Sequence, residues 1–127
     1  YCLLGLVSDD PDYKLCWTFN QALDMDFKKT EELKLHHKRL AADQYFSLFI
    51  YQDEEALLTY RIIKNRSDQG FFLDELKNLD YLIHIQGEIR PEKIGTFLQE
   101  AGSLPSVRMC VPVELPKLKN QERLLLW

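Results

Sequence analysis

Hydrophobic and polar positions follow two rhythms along this chain. Residues 1–7, YCLLGLV, are an apolar run with Gly5 inside it, short enough for a buried strand. After the polar SDDPDY, the apolar positions fall at Leu15, Cys16, Phe19, Ala22 and Leu23. That spacing draws one stripe along a helix of about three turns. Asp10 before Pro11 predicts where the helix opens, because aspartate caps free amides and proline tolerates the first helical position. No glycine closes it; residues 24–26 are Asp, Met and Asp.

The rhythm then shortens. Residues 31–40, EELKLHHKRL, alternate loosely and carry the charges of an exposed edge strand. Residues 45–51 and 56–64 are dense in aromatic and β-branched side chains, and the polar QDEE between them predicts a hairpin. Residues 65–70 read as a turn with Gly70 at positive φ, and 81–86 as another strand. Within 87–105, Pro91 marks a helix start, Ile94, Phe97, Leu98 and Ala101 its buried stripe, and Gly102 its stop. Residues 107–113 alternate, with Val107, Met109, Val111 and Val113 on one face, and Pro112 confines them to a sheet edge.

Strands grouped between two helices predict an α+β fold: a single, mainly antiparallel sheet with two helices packed on one face. A length of 127 residues suits one domain spanning 1–127. Because the sequence opens on strand-like text without Met, a short N-terminal segment is expected to be missing from it. The apolar end, Leu124, Leu125, Leu126 and Trp127, can dock on this domain's own core or meet a second copy.

Charge and cysteine content narrow the functional classes. The net charge of −4 is a poor match to a polyanion, so no nucleic-acid partner is expected. The basic cluster of Lys34, His36, His37, Lys38 and Arg39 sits beside Glu31 and Glu32 and reads as a solvated strand or loop. Cys2, Cys16 and Cys110 are odd in number and lack metal-site spacing, so neither a disulfide framework nor a zinc site is expected. A reducing, cytoplasmic location follows from this usage. No apolar run reaches membrane-spanning length and no secretory pattern is present, so no membrane association is expected and Asn65-Arg66-Ser67 is read as a turn, not a glycosylation site.

The chemistry-bearing motifs are few. There is no nucleophile elbow and no glycine-rich phosphate loop. His36 and His37 are adjacent and point to opposite faces of a strand, so they do not grip one metal. His84 reads as a core or rim histidine. A Cys110–His84 pair is the one nucleophile arrangement the strand order leaves open. Asp9, Asp10 and Asp12 lack calcium-loop spacing and read as capping residues. Tyr13, Trp17 and Asn20 follow i, i+4, i+7 along the first helix; they form either the edge of the core or an interaction surface, and the core edge is the favoured reading. No cofactor and no metal are expected.

One stretch carries a recognisable pattern. LDELKNLDY, residues 73–81, resembles the signature of a small bacterial family, the IPExxxVDY proteins. Leu73 stands at the Ile position, Asp74 replaces the Pro, Glu75 matches, Leu79 stands for the Val, and Asp80 and Tyr81 match. YKLCWTFNQAL at 13–23 and NRSDQGFFL at 65–73 also look like that family, so the resemblance covers roughly residues 3–115. The family is uncharacterised, and the resemblance implies no catalytic residues.

Read physically, the stretch is a structural joint. Asp74 opens a helical turn; Leu73, Leu76 and Leu79 anchor it; Asp80 accepts backbone N–H bonds; and Tyr81 buries its ring with the hydroxyl at the rim. The competing reading makes Glu75 and Asp80 an acid–base pair, but five residues along a helix separate them by about 7.5 Å and by more than a right angle. The leading expectation is therefore a non-catalytic protein-interaction module that forms a homodimer. The alternative is a small-molecule or enzymatic pocket near Arg66, Phe71, Glu75 and Tyr81, with Asn65 a further candidate interaction or pocket residue. Nucleic-acid binding by residues 34–39 and 61–66 ranks last.

Overall fold

A computed structural model describes residues 1–37, 41–119 and 121–127. The chain runs β1 (Cys2–Val7), α1 (Asp12–Leu23), β2 (Lys28–Lys29), β3 (Leu33–His37), β4 (Ala42–Phe46), β5 (Leu48–Asp53), β6 (Leu58–Lys64), β7 (Arg66–Ser67), β8 (Gly70–Phe71), a 3-10 turn at Asp74–Leu76, β9 (Tyr81–Gly87), α2 (Pro91–Gly102) and β10 (Met109–Pro112), then two further 3-10 turns in the tail. Six strands form one sheet in the order β10-β1-β9-β6-β5-β2, and every pairing in it is antiparallel. The fold is α+β as predicted, with β9 at its centre.

Strand periodicity sorts the core into two halves. Leu4, Leu6, Tyr60, Ile62, Ile83 and Ile85 face one way and meet Leu15, Cys16 and Phe19 of α1 and Phe97 and Ala101 of α2. Both helices therefore lie on the same face. The alternate residues Leu3, Ile63 and Leu82 face the other way, where Phe46, Phe72, Leu79, Leu118 and Leu124 cover them. This second face is closed without any α-helix, by the β3–β4 hairpin, the 73–79 segment and the tail.

Several local expectations change. Asp10 does not cap α1: Pro11 is the N-cap and accepts the Leu15 N–H through its carbonyl at 3.0 Å, while Asp10 pairs with Lys14 at 3.7 Å. Asp24 closes α1 in the left-handed conformation, φ 52°, the role usually left to glycine. Ala22 is exposed. Gly102 ends α2 as its last helical residue with no left-handed turn, and Ser103 follows as the C-cap.

The expected run at 45–51 divides at Ser47, so β4 pairs with β3 in a separate hairpin and β5 alone joins β6. The edge strand expected at 31–40 is accordingly β3, outside the large sheet; Lys38 and Arg39 of the basic cluster lie outside the described residues. In the last strand, Val107 joins the helical face whereas Val111 and Val113 pack on the opposite one, so the four alternating residues do not share a face.

Gly5 is required by a close approach. A Cβ on Gly5 would stand 2.3 Å from Cδ1 of Leu79, so the bare backbone of β1 is what lets the 73–79 segment lie against the sheet. Gly70 has φ 121°, as its place in the β7–β8 turn demands.

Candidate functional site

The signature-like segment is built around Asn65, which is completely buried. Its side-chain amide donates to the carbonyls of Leu76 at 2.8 Å and Leu79 at 3.0 Å, and its side-chain oxygen accepts the Leu73 N–H at 3.0 Å. Its backbone binds Asp80 and Phe72. Leu73 and Leu79 are buried and Leu76 is partly buried against them. Asn65 is thus a buried pin, which corrects the expectation that made it a candidate interaction or pocket residue. A carboxamide offers donors and an acceptor in one plane, and here each meets a backbone group of the turn; the Leu76 carbonyl also accepts the Leu79 N–H.

Asp80 accepts the Ser8 N–H at 2.9 Å, and its own N–H donates to the Leu6 carbonyl at 2.8 Å. Tyr81 is 3% exposed and its hydroxyl donates to the Asp10 carbonyl at 2.6 Å. Burial, and then the nearby Asp12, push its phenol pKa up, so it stays protonated. These bonds tie the end of β1 and the entrance to α1 onto the segment.

Glu75 points elsewhere. It is exposed and lines an open cleft of about 800 Å³ between the β3–β4 hairpin and the tail, beside His36, Lys77 and Lys119. Arg66 and Tyr81 border a different cleft of about 300 Å³ with Asp80 and Lys64. The Arg66 guanidinium sits 5.5 Å from the Phe71 ring centre, with the Lys77 ammonium 5.9 Å from the same ring. The structure therefore brings Arg66 together with Phe71 and with Tyr81, but not with Glu75, and Glu75 and Asp80 share no cleft.

On α1 the three candidate residues separate. Asn20 is partly buried, and its amide clamps Phe27 by both backbone groups, at 3.1 Å and 2.7 Å. Tyr13 and Trp17 are 68% and 63% exposed. They are not core edge, which corrects the favoured reading. At about 100° per residue Tyr13 lies about 120° and Trp17 about 160° from Phe19, the middle of the buried stripe, and this was legible in the spacing alone.

His84 lies on β9, 1% exposed, under Tyr1 at 4.7 Å and Trp127 at 5.0 Å between ring centres. Neither ring nitrogen makes a well-formed hydrogen bond; the Leu124 backbone offers only a weak polar contact. Burial, with Arg61 beside it, lowers its pKa to about 4. Cys110 is on the opposite face of the sheet and two strands away, with β1 between them, so the Cys110–His84 pair does not form. No group of three or more metal-ligating side chains gathers among the described residues.

The tail docks on its own domain. Arg123 donates to the carbonyls of Phe71 at 3.1 Å and Phe72 at 2.8 Å and to the Gln44 side chain at 2.8 Å, and Leu118 and Leu124 are buried. Leu125 and Leu126 stay exposed.

The sequence reading passed over Tyr51 and Tyr60. They are direct cross-strand partners on β5 and β6, with rings stacked 5.6 Å apart, and with Phe97 they floor a cleft between the end of α1 and α2. Their place in two successive strand runs was the available signal. No family model, no curated protein and no solved structure matches this chain. Among the described residues no helix is long and apolar enough to cross a membrane.

Proposed function

We propose that this chain is a non-catalytic interaction domain that pairs with a second copy of itself through α1. The observation that carries this reading is the exposure of Tyr13 and Trp17, one helical turn apart. Tyrosine and tryptophan are the side chains that most often dominate protein contacts, because each buries a large apolar ring while keeping one polar atom to satisfy. A two-fold axis midway between the two residues lays each Tyr13 over the Trp17 of the partner subunit, so the surface is self-complementary. The resemblance of residues 73–81 to the IPExxxVDY proteins belongs to the same reading. A cytoplasmic home is proposed with it, since all three cysteines are free thiols.

The groups that would carry catalysis are engaged elsewhere. Asp80 and the Tyr81 hydroxyl are bonded to backbone, and Glu75 opens on a separate cleft. A metabolite pocket made by Arg66, Glu75 and Tyr81 together would need a convergence these side chains lack. Sedimentation equilibrium at high micromolar concentration tests the proposal. A dimer is expected, with Trp17→Ala and Tyr13→Ala each shifting it to monomer; a strict monomer, or a dimer indifferent to both changes, rejects it.

A further inference from the structure

The cleft floored by Tyr51, Tyr60 and Phe97 combines three features that favour positive charge. The first is its floor. The Tyr51 and Tyr60 rings stack at 5.6 Å, and Phe97 tilts against Tyr60 at 5.1 Å. Aromatic faces carry negative electrostatic potential and attract organic cations. The second is its rim, where Asp24, Asp53, Glu92 and Glu100 stand against one ammonium, Lys93, which already rests 3.9 Å from Asp53. The third is the C-terminal end of α1, which lines the cleft through Leu23 and Asp24 and has no basic residue in its last turn to offset the negative pole of the helix.

A separate observation points to a missing partner. Tyr60 is 2% exposed and borders this cleft, yet its hydroxyl makes no hydrogen bond among the described residues. The ring is buried but the oxygen is not sealed off: it opens onto the cleft, where an entering group or a water can meet it. The two phenols feel the acids as well as their burial: burial and then Asp53 push the Tyr60 phenol up to about 12, and Tyr51 is raised by burial followed by Asp53, Asp24 and Asp26.

We propose that this cleft binds a small organic ammonium ion, the ring floor taking its alkyl groups and the carboxylate rim its charge. The volume, about 350 Å³, admits a ligand of a few carbons and falls at the small end of ligand pockets. Lys93 shows the preference in miniature, since its ammonium already leans into the same rim. A rim of this sign repels anionic metabolites and gives a neutral ligand of the same shape no charge to gain.

Isothermal titration calorimetry, with amide NMR shifts to locate the site, tests this on the whole chain. The probes are choline for a quaternary ammonium, putrescine for a primary one, and the neutral tert-butyl analogue of choline as control. The expected result is saturable millimolar or tighter binding of at least one cation, with shifts around Tyr51, Tyr60 and Phe97, and no binding of the neutral analogue. Glu92→Gln combined with Glu100→Gln changes only exposed side chains, so the fold persists, and it weakens binding by about 3- to 30-fold. Tyr51→Leu weakens choline binding over a similar range; if that variant does not fold, the charge variant decides. Binding of neither cation, equal binding of the neutral analogue, or affinity unchanged by the charge variant overturns the proposal.

Discussion

The joint at residues 65–81 and the cleft between the ends of the helices both hold acids and aromatics, and they spend them in opposite directions. In the joint the polar atoms turn inward. The Asn65 amide is bonded at both ends, Asp80 holds the Ser8 N–H, and the Tyr81 hydroxyl holds the Asp10 carbonyl. In the cleft the carboxylates ring an opening, and the Tyr60 hydroxyl, with no hydrogen bond among the described residues, opens onto it. The difference teaches that a motif-like look in sequence reflects how many backbone groups a segment must satisfy. Four neighbouring chain segments converge on the joint, so its residue types are tightly dictated. The cleft residues come from the end of α1, from β5 and β6 and from one face of α2, so no single stretch of sequence displays them together.

The largest expected effect lies in the joint. Asn65→Ala leaves the Leu79 carbonyl and the Leu73 N–H unbonded in a dry interior and takes one of two donors from the Leu76 carbonyl, and should cost about 2–4 kcal/mol in urea unfolding. A loss below about 1 kcal/mol would break the contrast, because the joint would then not depend on its pin.

Next comes the buried His84 on the same face of the sheet. Its folded pKa of about 4 lies below the 6.5 of the exposed group, so between these values the unfolded chain binds the extra proton. The sign follows: stability is full above about pH 6.5 and falls as pH drops towards 4, by up to roughly 3 kcal/mol. Unfolding free energies measured across this window should show the slope, and His84→Phe should flatten it. Arg61 and the N-terminal amine face the imidazole and oppose its protonation.

Tyr81→Phe removes a single bond to the Asp10 carbonyl and should cost about 1 kcal/mol, read as a lower urea midpoint with an unchanged slope. Smallest of all, Trp17→Ala should alter the stability of the isolated chain by no more than about 0.5 kcal/mol while abolishing self-association. A large stability loss in that variant would mean that Trp17 packs on its own domain, and would sharpen the comparison by moving α1 to the structural side.

Much of the fold was legible in the sequence. The apolar run at 1–7, the i, i+4, i+7 spacing of α1, the Pro91 start of α2 and the strand at 81–86 are local signals, and β1, α1, α2 and β9 formed where those signals placed them. The joint was legible in part: its three leucine anchors, the backbone bond to Asp80 and the buried Tyr81 ring follow from residue type and spacing. Asn65 was misplaced because an amide in a turn looks the same whether it faces water or the interior. Tyr13 and Trp17 were misplaced although their angle to the buried stripe was already fixed.

By itself the sequence determined the placing of β1, α1, β9 and α2 and most of their apolar faces, because those depend on neighbours within a turn or two of chain. Only the tertiary structure decided that β3 and β4 leave the main sheet, that the tail closes its second face, that Glu75 and Asp80 part company, and that Tyr51, Tyr60 and Phe97 meet under four carboxylates. Those outcomes rest on contacts between residues far apart in the chain, and no local rhythm of polar and apolar positions encodes a distance across a fold.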